Sequence, residues 1–135
     1  MELIKRMVSL AGCTKDNFKV LKGSESENFE EVLDALTVIH NCKANQYGNY
    51  VENHKEDTPT EAIFQVYSDV KRKYVRLKAQ AEKSLDMQGF DDDVVVETLT
   101  DLAVYSILGL LLLEDKRTSK DDDLGAKWGN QKDID

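Results

Sequence analysis

Apolar positions along this chain recur every three to four residues, the spacing of one face of an α-helix, and three long segments carry the pattern. The first runs from Ser24 to Asn45, with Phe29, Val32, Leu33, Leu36, Ile39 and His40 in one stripe. Ser24 followed three residues later by Glu27 predicts a capping box. Glu27, Glu30, Glu31 and Asp34 crowd the early turns, where the helix dipole favours acids. Tyr47-Gly48-Asn49 predicts the stop, and Gln46–Asp57 reads as a polar loop holding Tyr47, Tyr50 and His54. The second segment has the clearest start in the chain: Thr58 suits the N-cap, Pro59 the first helical position, and Glu61 closes the box. It should run to about Leu85, with Ile63, Tyr67, Val70, Tyr74, Leu77, Ala81 and Leu85 as a seam for another helix.

The third segment, Asp92–Glu114, follows a turn with Gly89 and is capped by Asp91 or Asp92. It is apolar nearly all round, so it is expected to be a central helix buried on most sides. Asp93, Glu97, Asp101 and Tyr105, each four apart, break that character along a single row. A carboxylate drawn into a core costs several kcal/mol unless it is paired or binds a metal. Glu97 and Asp101 therefore ask for a cation.

Before these segments, Glu2–Leu10 is short and weakly amphipathic, and Ala11–Gly23 is loop-like, with Phe18, Val20 and Leu21 hinting at an extended piece. After them, Lys116–Asp135 is charged and aperiodic, with Leu124 and Trp128 as its large apolar anchors besides Ile134. No repeat of 20 to 50 residues is visible. The expectation is an all-α helical bundle around a long apolar helix, one domain over residues 1–115 and a charged tail over 116–135.

Charge narrows the function. A formal net charge of −8 argues against a grip on duplex nucleic acid through phosphate neutralisation, but leaves small phosphorylated ligands open. The Val94–Leu113 run could cross a membrane by length, yet its central acids are costly in lipid, so no membrane association is expected. The N-terminal MELIKRMVSLAGC has too short an apolar stretch for a secretion signal, and Cys13 and Cys42 lack metal-ligand spacing. They read as reduced thiols of a cytoplasmic protein.

The candidate chemistry is acidic, basic and aromatic. Mg²⁺ takes hard oxygen ligands and keeps several waters, so Glu97 and Asp101 are candidate ligands, with Asp93 at the edge and Glu31 or Asp34 from the facing helix. The competing reading pairs Glu97 and Asp101 with Arg72, Lys73 or Arg76. Lys73 and Arg76, three apart, can point together at phosphate, or can simply be a solvated face, the better reading for Lys71 and Lys78. In KANQYGNY, Lys43 and Tyr47 could touch a phosphate and stack a base, or merely stop a helix. His40 fits a satisfied core histidine and His54 a loop.

Three of these segments together resemble a known family. Lys43-x-x-x-Tyr47-Gly48, Arg72-Lys73-x-x-Arg76-Leu77 and Glu97-Thr98-Leu99-x-Asp101-Leu102-Ala103-x-Tyr105 are similar to the first type of nucleotide-modification-associated domain of phages and bacteria. That pattern is roughly K-N-x-D-Y-G, D-K-x-x-R-L and D-T-L-x-D-L-A-N-Y. The family itself looks like a relative of the all-α nucleoside triphosphate pyrophosphohydrolases typified by MazG and the dimeric dUTPases. The likeness covers about Glu27 to Glu114. Ala44, Gln46, Arg72 and Val104 depart from it, and the E-x-x-E pair of the MazG relatives has no clean match, since Glu31 with Asp34 gives E-x-x-D.

The resemblance implies a MazG-like fold and a phage-encoded, nucleotide-linked role in a bacterial host. It implies Glu97 and Asp101 as catalytic residues that hold Mg²⁺, with Asp93 at a position that is often acidic, and Lys43, Tyr47, Lys73, Arg76 and Tyr105 at the substrate; Glu31 and Asp34 remain metal candidates from the reading of the facing helix alone. The relatives build their bundles from several subunits, which implies a homodimer or homotetramer. Three functions stand side by side: a Mg²⁺-dependent pyrophosphohydrolase, a nucleotide-binding module without turnover, and a structural helical adaptor.

Overall fold

In the computed structural model, residues 2–14, 23–86 and 89–119 are described, and they contain helices without strands. The anchors Leu124 and Trp128, the extended piece around Phe18 and most of the charged tail lie outside the described residues. The helices are α1 (Glu2–Leu10), α2 (Ser24–Tyr47), the single turn α3 (Tyr50–Asn53), α4 (Pro59–Leu85) and α5 (Asp92–Thr118). The chain falls into two compact units, Met1–Cys42 and Lys43–Asp135.

In the first unit, Leu3 of α1 is buried. The stripe expected on α2 is present but largely uncovered: Phe29, Val32 and Leu33 are exposed, and Leu36, Ile39 and His40 are half-buried. The capping box is not formed as expected. The helix already begins at Ser24, and the Glu27 amide bonds to the Gly23 carbonyl, so Ser24 stands inside the first turn instead of ahead of it.

The second unit holds the last turn of α2 with α3, α4 and α5. Gly48, at φ +82°, supplies the left-handed residue that stops α2, and Asn53 Nδ2 donates to the Tyr47 carbonyl. Residues 50–53, expected as loop, form α3. Thr58 and Glu61 make their reciprocal capping box at the head of α4, and Asp91 caps α5 through the amides of Asp93 and Val94. Contacts between α4 and α5 descend in opposite order, from Val66 with Gly109 through Lys73 with Asp101 to Gln80 with Asp91, so the two helices form an antiparallel hairpin. The one-turn α3 packs on α5.

The faces that meet are mixed in character and are not the apolar seam expected on α4. Ile63, Tyr67, Tyr74 and Leu85 of the expected α4 seam are exposed. The buried face is set one step round the helix, at Ala62, Asp69 and Gln80. On α5 the buried positions are Thr98, Asp101, Val104, Gly109, Leu112 and Lys116. α5 is therefore not buried on most sides. It is long and apolar enough to span a membrane by length and composition, and 22% of its most apolar window is buried. The physical reason is that small and paired polar groups fill the hairpin. Thr98 bonds back to the Val94 carbonyl, Gln80 accepts from the Asp91 amide, and Lys116 donates to the Lys55 carbonyl at 2.7 Å. Polar groups satisfied in this way can be buried without the penalty of an unmade bond.

Gly109 sets how closely the helices approach, because a Cβ there would stand 2.8 Å from Val66 Cγ1. Alanine gains roughly 1 kcal/mol of helix propensity, but overpacking costs roughly 1–3 kcal/mol. Gly109→Ala should thus lower stability in urea unfolding, and the same change made beside Val66→Ala should raise it. Equal effects in both backgrounds would show that this contact is slack.

Candidate functional site: a carboxylate held between two lysines

Asp101 sits mid-way along α5, where it meets Lys73 of α4 and Lys43 near the C-terminal end of α2, and is 6% exposed. Its Oδ1 accepts from Lys43 Nζ at 2.7 Å and its Oδ2 from Lys73 Nζ at 2.8 Å. Burial pushes the Asp101 carboxyl up, but the hydrogen bonds from Lys43 and Lys73 outweigh it, and the group lies below the usual carboxylate range. The hydrogen bond to Asp101 in turn raises the Lys43 ammonium above the usual lysine range. Both are charge-assisted bonds at the short end of their range. Of the two sequence readings for Asp101, the ion pair is the one this geometry realises, with Lys43 standing where Arg72 was considered.

Glu97, one turn earlier, behaves differently. Its side chain is 63% exposed, and Oε1 is 3.7 Å from Arg76 Nη1, a surface pair of the kind worth roughly 0–1 kcal/mol. Asp93 is exposed in the first turn of α5, and Glu31 and Asp34 are exposed on α2 in the first unit. Among the described residues no three His, Cys, Asp or Glu side chains gather as a metal site would need. Both Asp101 oxygens are engaged by ammonium groups, so a metal ion there would have to displace Lys43 or Lys73.

The expected substrate-contacting residues divide. Lys43, Lys73 and Arg76 lie around Asp101 and Glu97. Tyr47, four residues after Lys43 on α2, is 74% exposed. Tyr105 is committed elsewhere: its hydroxyl accepts from Arg72 Nη2 at 3.2 Å, the Arg72 guanidinium lies 5.7 Å over its ring, and its ring packs edge-on to Tyr50.

That neighbouring cluster was not anticipated. Asp69, 5% exposed, accepts from Tyr50 Oη at 2.7 Å, Gln65 Nε2 at 3.1 Å and Arg72 Nη1 at 3.2 Å. Burial, then the bond to Asp69, pushes the Tyr50 phenol well above its usual range. His54 packs on the Tyr50 ring and pairs with Asp57 at 2.9 Å, so it is more than a loop residue. The spacing of Gln65, Asp69 and Arg72, by four and three, was the available signal: an acid between two donors on one helix face.

No protein-family model, no curated protein and no solved structure matches this chain.

Proposed function

We propose that the second unit is a nucleotide-binding module that takes up phosphate through Lys43, Lys73 and Arg76 and does not turn its ligand over within a single chain. The supporting observation is the engagement of Asp101 on both oxygens by two lysines. Each ammonium has three donors and spends one on the carboxylate, which leaves two held side by side. The Lys43 side chain is 48% exposed and that of Arg76 is 41% exposed, so a phosphate can reach both. Tyr47, exposed on the same helix face as Lys43, is placed for a base or sugar. The MazG-like arrangement, a homo-oligomeric assembly and a cytoplasmic setting in a bacterial host belong to the same proposal. They rest on the resemblance of the three segments.

Glu97 favours a second reading. Its open carboxylate, in line with Asp93, is available to share a magnesium ion with acids of another copy, which would make the assembly a pyrophosphohydrolase. The test is a titration of each (d)NTP by calorimetry, with EDTA and then with Mg²⁺, followed by product chromatography. One nucleotide should bind in EDTA without being consumed, and Lys43→Ala should weaken it at least tenfold. Release of pyrophosphate with Mg²⁺ would install the enzyme reading, and no binding under either condition would leave the helical adaptor.

A further inference from the structure

The hairpin buries a mixed face of α5 and leaves an apolar outer face: Val96, Leu99, Ile107 and Leu110 are 56%, 49%, 43% and 38% exposed. Along that face Val96, Leu99, Ala103, Ser106, Leu110 and Leu113 alternate steps of three and four, the seam of a two-stranded coiled coil. The seam lies about 140° round the helix from Thr98 and Asp101, so it is turned away from the face that packs on α4.

The order of residues in the seam is its own mirror. Reversed about the midpoint between Val104 and Tyr105, Val96 falls opposite Leu113, Leu99 opposite Leu110, and Ala103 opposite Ser106. Large apolar residues meet large ones, and small meets small where two helices would approach most closely. The Ser106 hydroxyl is already bonded to the Leu102 carbonyl at 2.8 Å, so it brings no unmade bond to a dry contact. One step beyond each end, Asp92 falls opposite Arg117. Among the described residues Arg117 Nη1 is covered and has no hydrogen-bond partner.

We propose that α5 pairs with α5 of a second copy of this chain, antiparallel about a twofold axis between Val104 and Tyr105, with Asp92 of each copy against Arg117 of the other. A twofold contact must be self-complementary, which this register satisfies in size and in charge. A parallel pairing would set Asp92 against Asp92 and Arg117 against Arg117. An unrelated protein or a lipid surface makes no demand that the seam read alike in both directions. The antiparallel arrangement also opposes the two helix dipoles. The inference rests on the homo-oligomer part of the function proposed above and is independent of nucleotide binding.

Disulfide trapping in a Cys13→Ser, Cys42→Ser background tests the register, alongside light scattering of the unaltered chain. Leu99→Cys alone should give no covalent dimer, since the two sulfurs would lie roughly 16 Å apart along the axes. Leu99→Cys with Leu110→Cys should give one in high yield. Arg117→Asp should weaken the dimer at least fivefold, and Asp92→Arg in the same chain should restore it. A dimer trapped by Leu99→Cys alone, or one in which neither the cysteine pair nor the charge exchange acts as stated, overturns the seam but leaves the oligomer. An unaltered chain that is monomeric, whether or not it floats with phosphatidylcholine vesicles, overturns both and leaves the nucleotide titration to stand on its own result.

Discussion

Asp101→Asn is expected to lower the free energy of unfolding by about 3 kcal/mol, because removing one partner of a buried ion pair leaves the other charge uncompensated. The stranded charge is Lys73, whose side chain is only 13% exposed; Lys43, at 48%, can turn to water. Lys43→Ala should therefore cost much less than Asp101→Asn. Replacing both members of the inner pair, as Asp101→Leu with Lys73→Met, should recover most of the loss. The pH dependence has a definite sign. The Asp101 carboxyl is lowered in the folded state, so its stabilisation is complete above the ordinary carboxylate value of about 3.9 and fades as pH falls through the folded value. The Lys43 ammonium is raised, so its share is complete below the ordinary lysine value of about 10.4 and fades as pH rises through the folded one. The difference in Tm between the unaltered chain and Asp101→Asn should be flat from about pH 5 to 9 and shrink on both sides. A difference that stays constant down to pH 2 would show that charge is not what the substitution removes.

Asp69→Ala should have the second largest effect, about 2–3 kcal/mol, since it strips the acceptor from Tyr50, Gln65 and Arg72 together. The loss should be local in character. Tyr50 belongs to α3, and the bond to Asp69 ties that turn to α4. Hydrogen exchange at the amides of Asn53 and His54 should accelerate, while the middle of α5 keeps its protection. Tyr50→Phe removes one of the three donors and should reproduce about 1 kcal/mol of the loss. If α3 keeps its protection in Asp69→Ala, the aromatic packing of Tyr50 on His54 and Tyr105 holds it instead.

The helix starts were legible because they are written locally. Thr58, Pro59 and Glu61 lie within four residues and leave the chain little choice there, and Asp91 before Asp93 works in the same way. Which face of each helix turns inward was not legible. Periodicity identifies the apolar stripe and supposes that it is the core, but here the buried residues include Ala62, Asp69 and Gln80 on α4 and Thr98, Asp101 and Gly109 on α5. Burying that face depends on pairings such as Lys43 with Asp101, 58 residues apart, that no window of sequence contains. The demand of Asp101 for a cation was readable from its setting. The nature of the cation was not, because a lysine from a distant helix end satisfies the same charge as a metal ion. α3 was missed since a single turn has no period to detect.

The reach of Lys116 carries the folded body past residue 115. From charge alone the tail begins at residue 116, yet this ammonium is 3% exposed and fastened to the main chain of Lys55, and α5 continues to Thr118. A protein trimmed at residue 115 would remove a clasp, not a loose end: the Lys55 carbonyl would lose its donor and the last turn of α5 would fray.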